Sequence, residues 1–142
     1  MFSKTTEYAL RAAIYIAQKG SENNKLGIPE ISKAIHSPAS FTAKILQKLS
    51  KNNSLLSAVR GPNGGYYFTQ KAIDLPVIKI IEAMGEDEVL KKCVLGLKAC
   101  SNKKPCPLHH EYKGIKAKTL DLFNTHTIGW LALEMKKGES FL

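Results

Sequence analysis

The sequence predicts a mainly α-helical chain with one small β-hairpin, and three stretches carry that prediction. In HSPASFTAKILQKLSKN (36–52) a Ser-Pro pair precedes Phe41, Ile45 and Leu49 at i, i+4 and i+8, the spacing of a buried helix stripe. In SLLSAVRGPNGGYYFTQ (54–70) two β-prone runs, Leu55 to Arg60 and Gly65 to Thr69, flank the turn-forming tip Gly61-Pro62-Asn63-Gly64. After Pro107, Leu108, Tyr112, Ile115, Thr119 and Leu122 recur three and four apart, which predicts a long amphipathic helix. With 142 residues, 44% of them hydrophobic and 23% charged, the chain has the length of one domain and a globular composition.

Taken in order, the first element runs from about Thr5 to Gln18, where Ala9, Leu10, Ala13, Ile14 and Ala17 make one apolar helix face. It ends at Lys19-Gly20, before the polar loop SENNK. Pro29 suits the first turn of a second, short helix that carries Ile31, Ala34 and Ile35 inward and stops near His36. A third helix starts with Ser37 placed to cap through its hydroxyl and Pro38 at the first helical position. Opposite its Phe41, Ile45 and Leu49 stripe lie Ser40, Thr42, Ala43, Lys44, Gln47, Lys48 and Lys51, all small, hydrogen-bonding or cationic.

A short helix, a tight turn and a helix with such an outer face make a helix-turn-helix, whose second helix enters the major groove of DNA. The hairpin that follows at once makes it a winged helix. Charge supports the assignment: residues 1–71 carry ten Lys or Arg against three acids, a net +7, whereas residues 72–142 are only +2. The expected DNA contacts are Ser40, Thr42, Lys44, Gln47 and Lys48 on the helix, with Arg60 and Asn63 on the wing. Arg60 stands at the base of the tip, where a cation reaches a phosphate or the minor groove, and no acid lies between Glu30 and Asp74 to neutralise it.

All three cysteines fall in CVLGLKACSNKKPC (93–106), spaced Cys-x6-Cys-x5-Cys, with His109 and His110 just beyond. No transmembrane run is present, and the apolar stretch Ala9 to Ala17 is broken by Arg11 without a cleavage site, so a cytoplasmic location and no membrane partner are expected. In that compartment an odd, clustered set of thiols reads as a metal site or redox switch rather than a disulfide framework. Thiolates favour iron-sulfur clusters, zinc and cuprous ions. Lys91, Lys92, Lys98, Lys103 and Lys104 supply positive charge that favours the thiolate form. Cys93, Cys100, Cys106 and His109 could also complete a Cys3His zinc site, although zinc cysteines are usually only two to four residues apart.

The opening TTEYALRAAIYIA, the wing VRGPNGGYYF and the cysteine triplet ending in CPLHH together resemble the winged helix-turn-helix transcription regulators of the IscR/NsrR family, in its iron-sulfur cluster-binding type. The resemblance runs from residue 3 to about 132. It implies that Arg60 enters the minor groove and that Cys93, Cys100 and Cys106 hold a cluster that tunes DNA binding. For the fourth ligand it offers two residues: His109, as in a [2Fe-2S] type, or Glu7 from the partner subunit, as in a [4Fe-4S] type. Glu7 read by itself is an acid favoured at a helix N-terminus. The first cysteine gap here is six residues where the cluster-assembly branch has five, and Ala43 stands where that branch has a glutamate for base discrimination. The resemblance further implies a homodimer paired through the long helix, on a palindromic operator; of the two senses of regulation, activation and repression, the sequence names neither, and repressor is the working expectation.

The expected organisation is a DNA-binding unit over 1–72, a connecting helix and cysteine-bearing loop over 73–106, and a dimerisation helix with a C-terminal tail over 107–142. The leading functional expectation is a regulator whose operator binding is controlled by an iron-sulfur cluster sensing iron-sulfur status, redox state or nitric oxide. The alternative is the same regulator with a zinc or thiol-disulfide switch. A metal-dependent enzyme or electron carrier is disfavoured, since no phosphate loop, paired carboxylates or activated nucleophile is recognisable, and no catalytic residue is assigned. Trp130 has no account at this level.

Overall fold

The structure is a computed structural model and describes residues 1–98 and 100–138, the side chain of Asn52 aside. The last four residues of the expected tail, 139–142, lie outside the described residues. The predicted class holds: the described residues form seven α-helices and one two-stranded hairpin.

Helix α1 (Lys4–Lys19) starts at Ser3, whose Oγ accepts from the Thr6 N–H at 3.3 Å, and closes at Gly20. It lies at the centre, packed by α2 (Ile28–Ala34), α3 (Ala39–Leu49), α5 (Ile78–Ala83) and α7 (Ile128–Lys137). This surrounding explains why Ala12 and Ile16 are buried beside the expected Ala9, Ala13 and Ile14, while Leu10 and Ala17 are only half-buried. A helix enclosed on several sides has no single apolar stripe.

Between α2 and α3 the chain turns at His36, in the left-handed region at φ 53°. Two expectations for α3 need correction. Ser37 does not cap it: Pro38 is the cap residue, and the buried Ser37 Oγ has no hydrogen-bond partner among the described residues. The reason is that the Ser37 N–H is tied back to the Ser32 carbonyl at 3.0 Å, which fixes this residue against α2. Thr42 does not belong to the outer face either. It is fully buried with Ile45, Leu46 and Leu49, and its hydroxyl donates to the Pro38 carbonyl at 3.0 Å. A threonine that satisfies itself on its own helix enters a core at little cost.

A 3-10 turn at Lys51–Asn53 leads to the wing, where Asn53 Oδ1 accepts from the Ala58 N–H at 3.1 Å. Strands β1 (Ser57–Val59) and β2 (Gly65–Tyr67) pair antiparallel with Ala58 opposite Tyr66. They are shorter than the predicted runs because Leu55, Leu56 and Phe68 turn into the core instead of pairing. Leu26 and Tyr66 exchange backbone hydrogen bonds of 3.0 and 2.8 Å, so the α1–α2 loop adds a third edge to the hairpin. Gly65 permits this approach: it sits at φ 144°, and a Cβ there would lie 2.7 Å from the Leu26 carbonyl oxygen.

Beyond α4 (Gln70–Ile73) and α5, a 3-10 turn at Asp87–Leu90 enters the cysteine segment. Ile78, Ile81 and Leu90 form a second small core with Phe2, Leu120 and Phe123, which seats α6 (His109–Thr125). Of the residues of α6 only His109 is buried. Helix α7 then returns to α1, where Ile128 joins the main core and Gln18 Nε2 donates to the Ala132 carbonyl at 3.0 Å. Trp130 stacks on His126, ring centroids 3.8 Å apart, and thereby acquires the account the sequence did not offer. Among the described residues no helix is long and apolar enough to cross a membrane.

Candidate nucleic-acid interface and cysteine site

Helix α3 presents Ser40, Lys44, Gln47 and Lys48 to solvent, and the wing presents Arg60 and Asn63. Gln47 of α3 and Ser50 just beyond it line an open groove of about 430 Å3 together with Val59, Arg60 and Gly61 of the wing and Pro29 of α2. The structure therefore brings Gln47 and Arg60 to one groove and leaves Thr42 behind it. Among the described residues Arg60 makes no ion pair. Its guanidinium is free for a phosphate or a base edge. The face is held from behind by Phe41, which meets Tyr8 of α1 edge-to-face at 5.7 Å, and Arg11 lies over the Tyr8 ring at 4.4 Å.

The cysteine segment joins the 3-10 turn to α6. Its three thiols are free, with Cys100 exposed and Cys93 and Cys106 half-buried. The chain turns back at Gly96, φ 68°, whose N–H bonds the Cys93 carbonyl at 3.0 Å. That turn directs the backbone N–H groups of Leu97 and Leu95 at the Cys93 sulfur. These amides, then the Cys106 side chain and the Lys116 ammonium, hold the Cys93 thiol below the usual thiol range, against an opposing desolvation. The shift is toward the thiolate, the form in which a cysteine ligates.

Cys100 and His109 form a second pair, Sγ to Nδ1 at 3.2 Å, and His109 Nε2 stands 2.8 Å from Asn102 Oδ1. The hydrogen-bond network assigns the ring proton to Nε2, donated to Asn102, which leaves the Nδ1 lone pair directed at Cys100. Cys106 connects the two pairs, since its carbonyl accepts the His109 N–H at 3.0 Å. The soft donor set of three thiols and an imidazole fits a cluster or a zinc ion in chemistry. In placement it forms two neighbouring pairs: among the described residues, no three His, Cys, Asp or Glu side chains converge on one point. Glu7 lies in the first turn of α1, bonded to Lys4 at 2.9 Å, and this contact holds its carboxyl below the usual range.

Several contributors escaped the sequence reading. Lys116 acts on Cys93 from α6 and also donates to the Lys91 carbonyl at 3.0 Å, whereas Lys91 directs its charge to Asp87 at 2.6 Å. Asn102 and the Leu95 and Leu97 amides were also missed. Only the glycine within Leu95-Gly96-Leu97 hinted at a turn around a sulfur.

A helix-turn-helix packed on α1, a braced wing and an open groove lined by Gln47 and Arg60 define the winged-helix class. The chain belongs to the Rrf2 family of iron-dependent transcriptional regulators, whose profile matches residues 2–134. It is 32% identical over 130 residues to a protein of Aquifex aeolicus (strain VF5) assigned as an HTH-type transcriptional regulator, covering 90% of this chain and 88% of that one. It is 28% identical over 124 residues to the HTH-type transcriptional regulator IscR of Klebsiella pneumoniae (strain 342), covering 87% and 74%. Among solved structures, CymR, the global cysteine regulator of B. subtilis, superposes with a TM-score of 0.74 at 16% identity, covering 94% and 97%. T. potens IscR does so at 0.72 and 16%, covering 100% and 93%. At such identities these two speak for the fold. The relatives are regulators rather than enzymes, and DNA binding goes with the family.

Proposed function

We propose that this regulator is a cytoplasmic homodimeric repressor whose operator affinity is set by an iron-sulfur cluster held by Cys93, Cys100, Cys106 and His109. The carrying observation is the gathering of all three thiols and a buried, oriented histidine at the junction between the 3-10 turn and α6. A cluster bound there would supply a centre that oxygen and nitric oxide destroy. The chain's own part is to favour the Cys93 thiolate through the Leu97 and Leu95 amides. It also keeps the His109 lone pair directed at Cys100 through Asn102.

The cysteine segment is flanked by the turn that meets α1 and by α6. A change in its order would therefore be felt both at the reading face and at the long helix. Ser40, Lys44, Gln47 and Lys48 then read a half-site of a palindrome, with Arg60 and Asn63 placed by the wing. Glu7 of a partner subunit remains the other candidate for the fourth ligand. Residues 1–72 serve as the DNA-reading unit, 73–106 as the sensing connection and the long helix as the pairing element.

The second reading keeps the fold and makes the site a thiol-disulfide switch; the neighbouring side chains of Cys93 and Cys106 favour it. Anaerobic purification distinguishes the readings. A cluster gives a brown protein absorbing between about 320 and 450 nm, with iron and sulfide in the chain. A colourless protein with one zinc per chain, or with no metal and a reversible disulfide, sinks the cluster assignment.

A further inference from the structure

The wing is not a free hairpin: the α1–α2 loop lies along it. Within that loop Ser21 and Asn24 exchange backbone hydrogen bonds of 3.1 and 3.0 Å, and the Asn24 side chain donates to the Lys19 carbonyl at 2.9 Å. The turn is therefore fixed to the end of α1 at one side and, through Leu26 and Tyr66, to the wing at the other. Between the turn and the wing tip runs a polar, open groove of about 460 Å3, lined among others by Asn23, Asn24, Lys25 and Asn63.

Lys25 extends along the wing with its ammonium 5.7 Å from the centroid of the Tyr67 ring and 2.6 Å from the Glu22 carbonyl oxygen. Both partners are neutral, so its charge is oriented but not cancelled. Asparagine amides beside an oriented ammonium make a donor-rich surface that suits a phosphodiester.

We propose that this turn is a third DNA-binding element, in which Lys25, with Asn23 beside it, takes a backbone phosphate flanking the stretch covered by the wing. The inference rests on DNA binding by α3 and the wing, which brings the duplex to the tip. The Glu22 carboxylate lines the same groove, so its removal should act in the opposite sense to removal of Lys25.

The test is operator affinity as a function of salt, for operators with long flanks and for ones trimmed to the palindrome. Each neutralised phosphate contributes about 0.9 to the slope of log affinity against log salt. Lys25→Gln removes the contact from both subunits of the dimer and should lower that slope by about two contacts on the long operator, so that the affinity ratio between about 50 and 200 mM salt narrows roughly twelvefold. Lys25→Arg should keep the slope, Glu22→Gln should raise affinity at low salt, and trimming the flanks should abolish both effects. An unchanged slope for Lys25→Gln, or effects that survive trimming, overturns the proposal while Arg60→Ala still weakens binding. Failure of Arg60→Ala to weaken binding instead overturns the assignment on which it rests.

Discussion

The backbone N–H of Ser3 donates to Oε2 of Glu86 at 3.0 Å, so the residue that caps α1 is held by the turn leading into the cysteine segment. The Ser3 contacts, then Thr6 and Lys48, hold the Glu86 carboxyl below the usual carboxylate range. A carboxyl depressed in the folded state adds stability above its unfolded pKa, and that stability is lost as pH falls through the folded value. Denaturant titrations should therefore show stability falling below about pH 4.3, the ordinary glutamate range. Glu86→Gln should flatten part of this acid limb, and an unaltered limb would argue against the contact.

Arg60→Ala should weaken operator binding by about 1 to 3 kcal/mol, because an exposed arginine without an acid partner loses nothing on the free protein's side. Fluorescence anisotropy with a fixed salt concentration measures it. Thermal stability should stay unchanged in the same variant.

In anaerobically prepared protein, Cys93→Ala, Cys100→Ala and Cys106→Ala should each bleach the visible absorbance. His109→Ala should do so as well if the histidine is the fourth ligand, with Glu7→Ala silent. The converse pattern would assign the ligand to the partner's first helix. Asn102→Ala should weaken retention of the cluster less than His109→Ala does, since it only orients the ring.

Ile115 and Leu122 are 59% and 52% exposed on α6. Apolar side chains at such spacing on one helix are expected to be covered by a second copy. Light scattering should give a dimeric mass at micromolar concentration without metal, and Leu122→Lys should return a folded monomer. A monomeric metal-free wild type would mean that the cluster drives the pairing.

Gly129 opens the first turn of α7 against α4, and a Cβ there would lie 2.7 Å from Ile73 Cγ2. Gly129→Val should cost about 1 to 3 kcal/mol of stability by overpacking. Ile73→Ala in the same chain should recover part of that loss, as measured by chemical denaturation.

What the sequence made legible was local. The helix starts at Pro29 and Pro38, the tip Gly61 to Gly64 and the Cys93 to Cys106 cluster each announce themselves within a few residues. Thr42 was misplaced because a stripe through Phe41, Ile45 and Leu49 and one through Thr42, Ile45, Leu46 and Leu49 overlap. The choice depends on Phe41 turning to Tyr8, a contact with another helix. The single bridge from Leu26 to Tyr66 has no period to betray it. Lys116 is one of many lysines until α6 is docked beside the thiols. The fold class is local information, whereas the environment of Cys93 and the return of α7 come from distant pairings.

That return of α7 sets an order on biosynthesis. Ile128 completes the same core as Ala9, Ala12, Ala13 and Ile16, so the central helix stays uncovered on one side until α7 has left the ribosome. The thiols at 93, 100 and 106 emerge earlier, while that side of the central helix is still open. A nascent polypeptide thus carries its thiols in the open before its own central helix is sheathed.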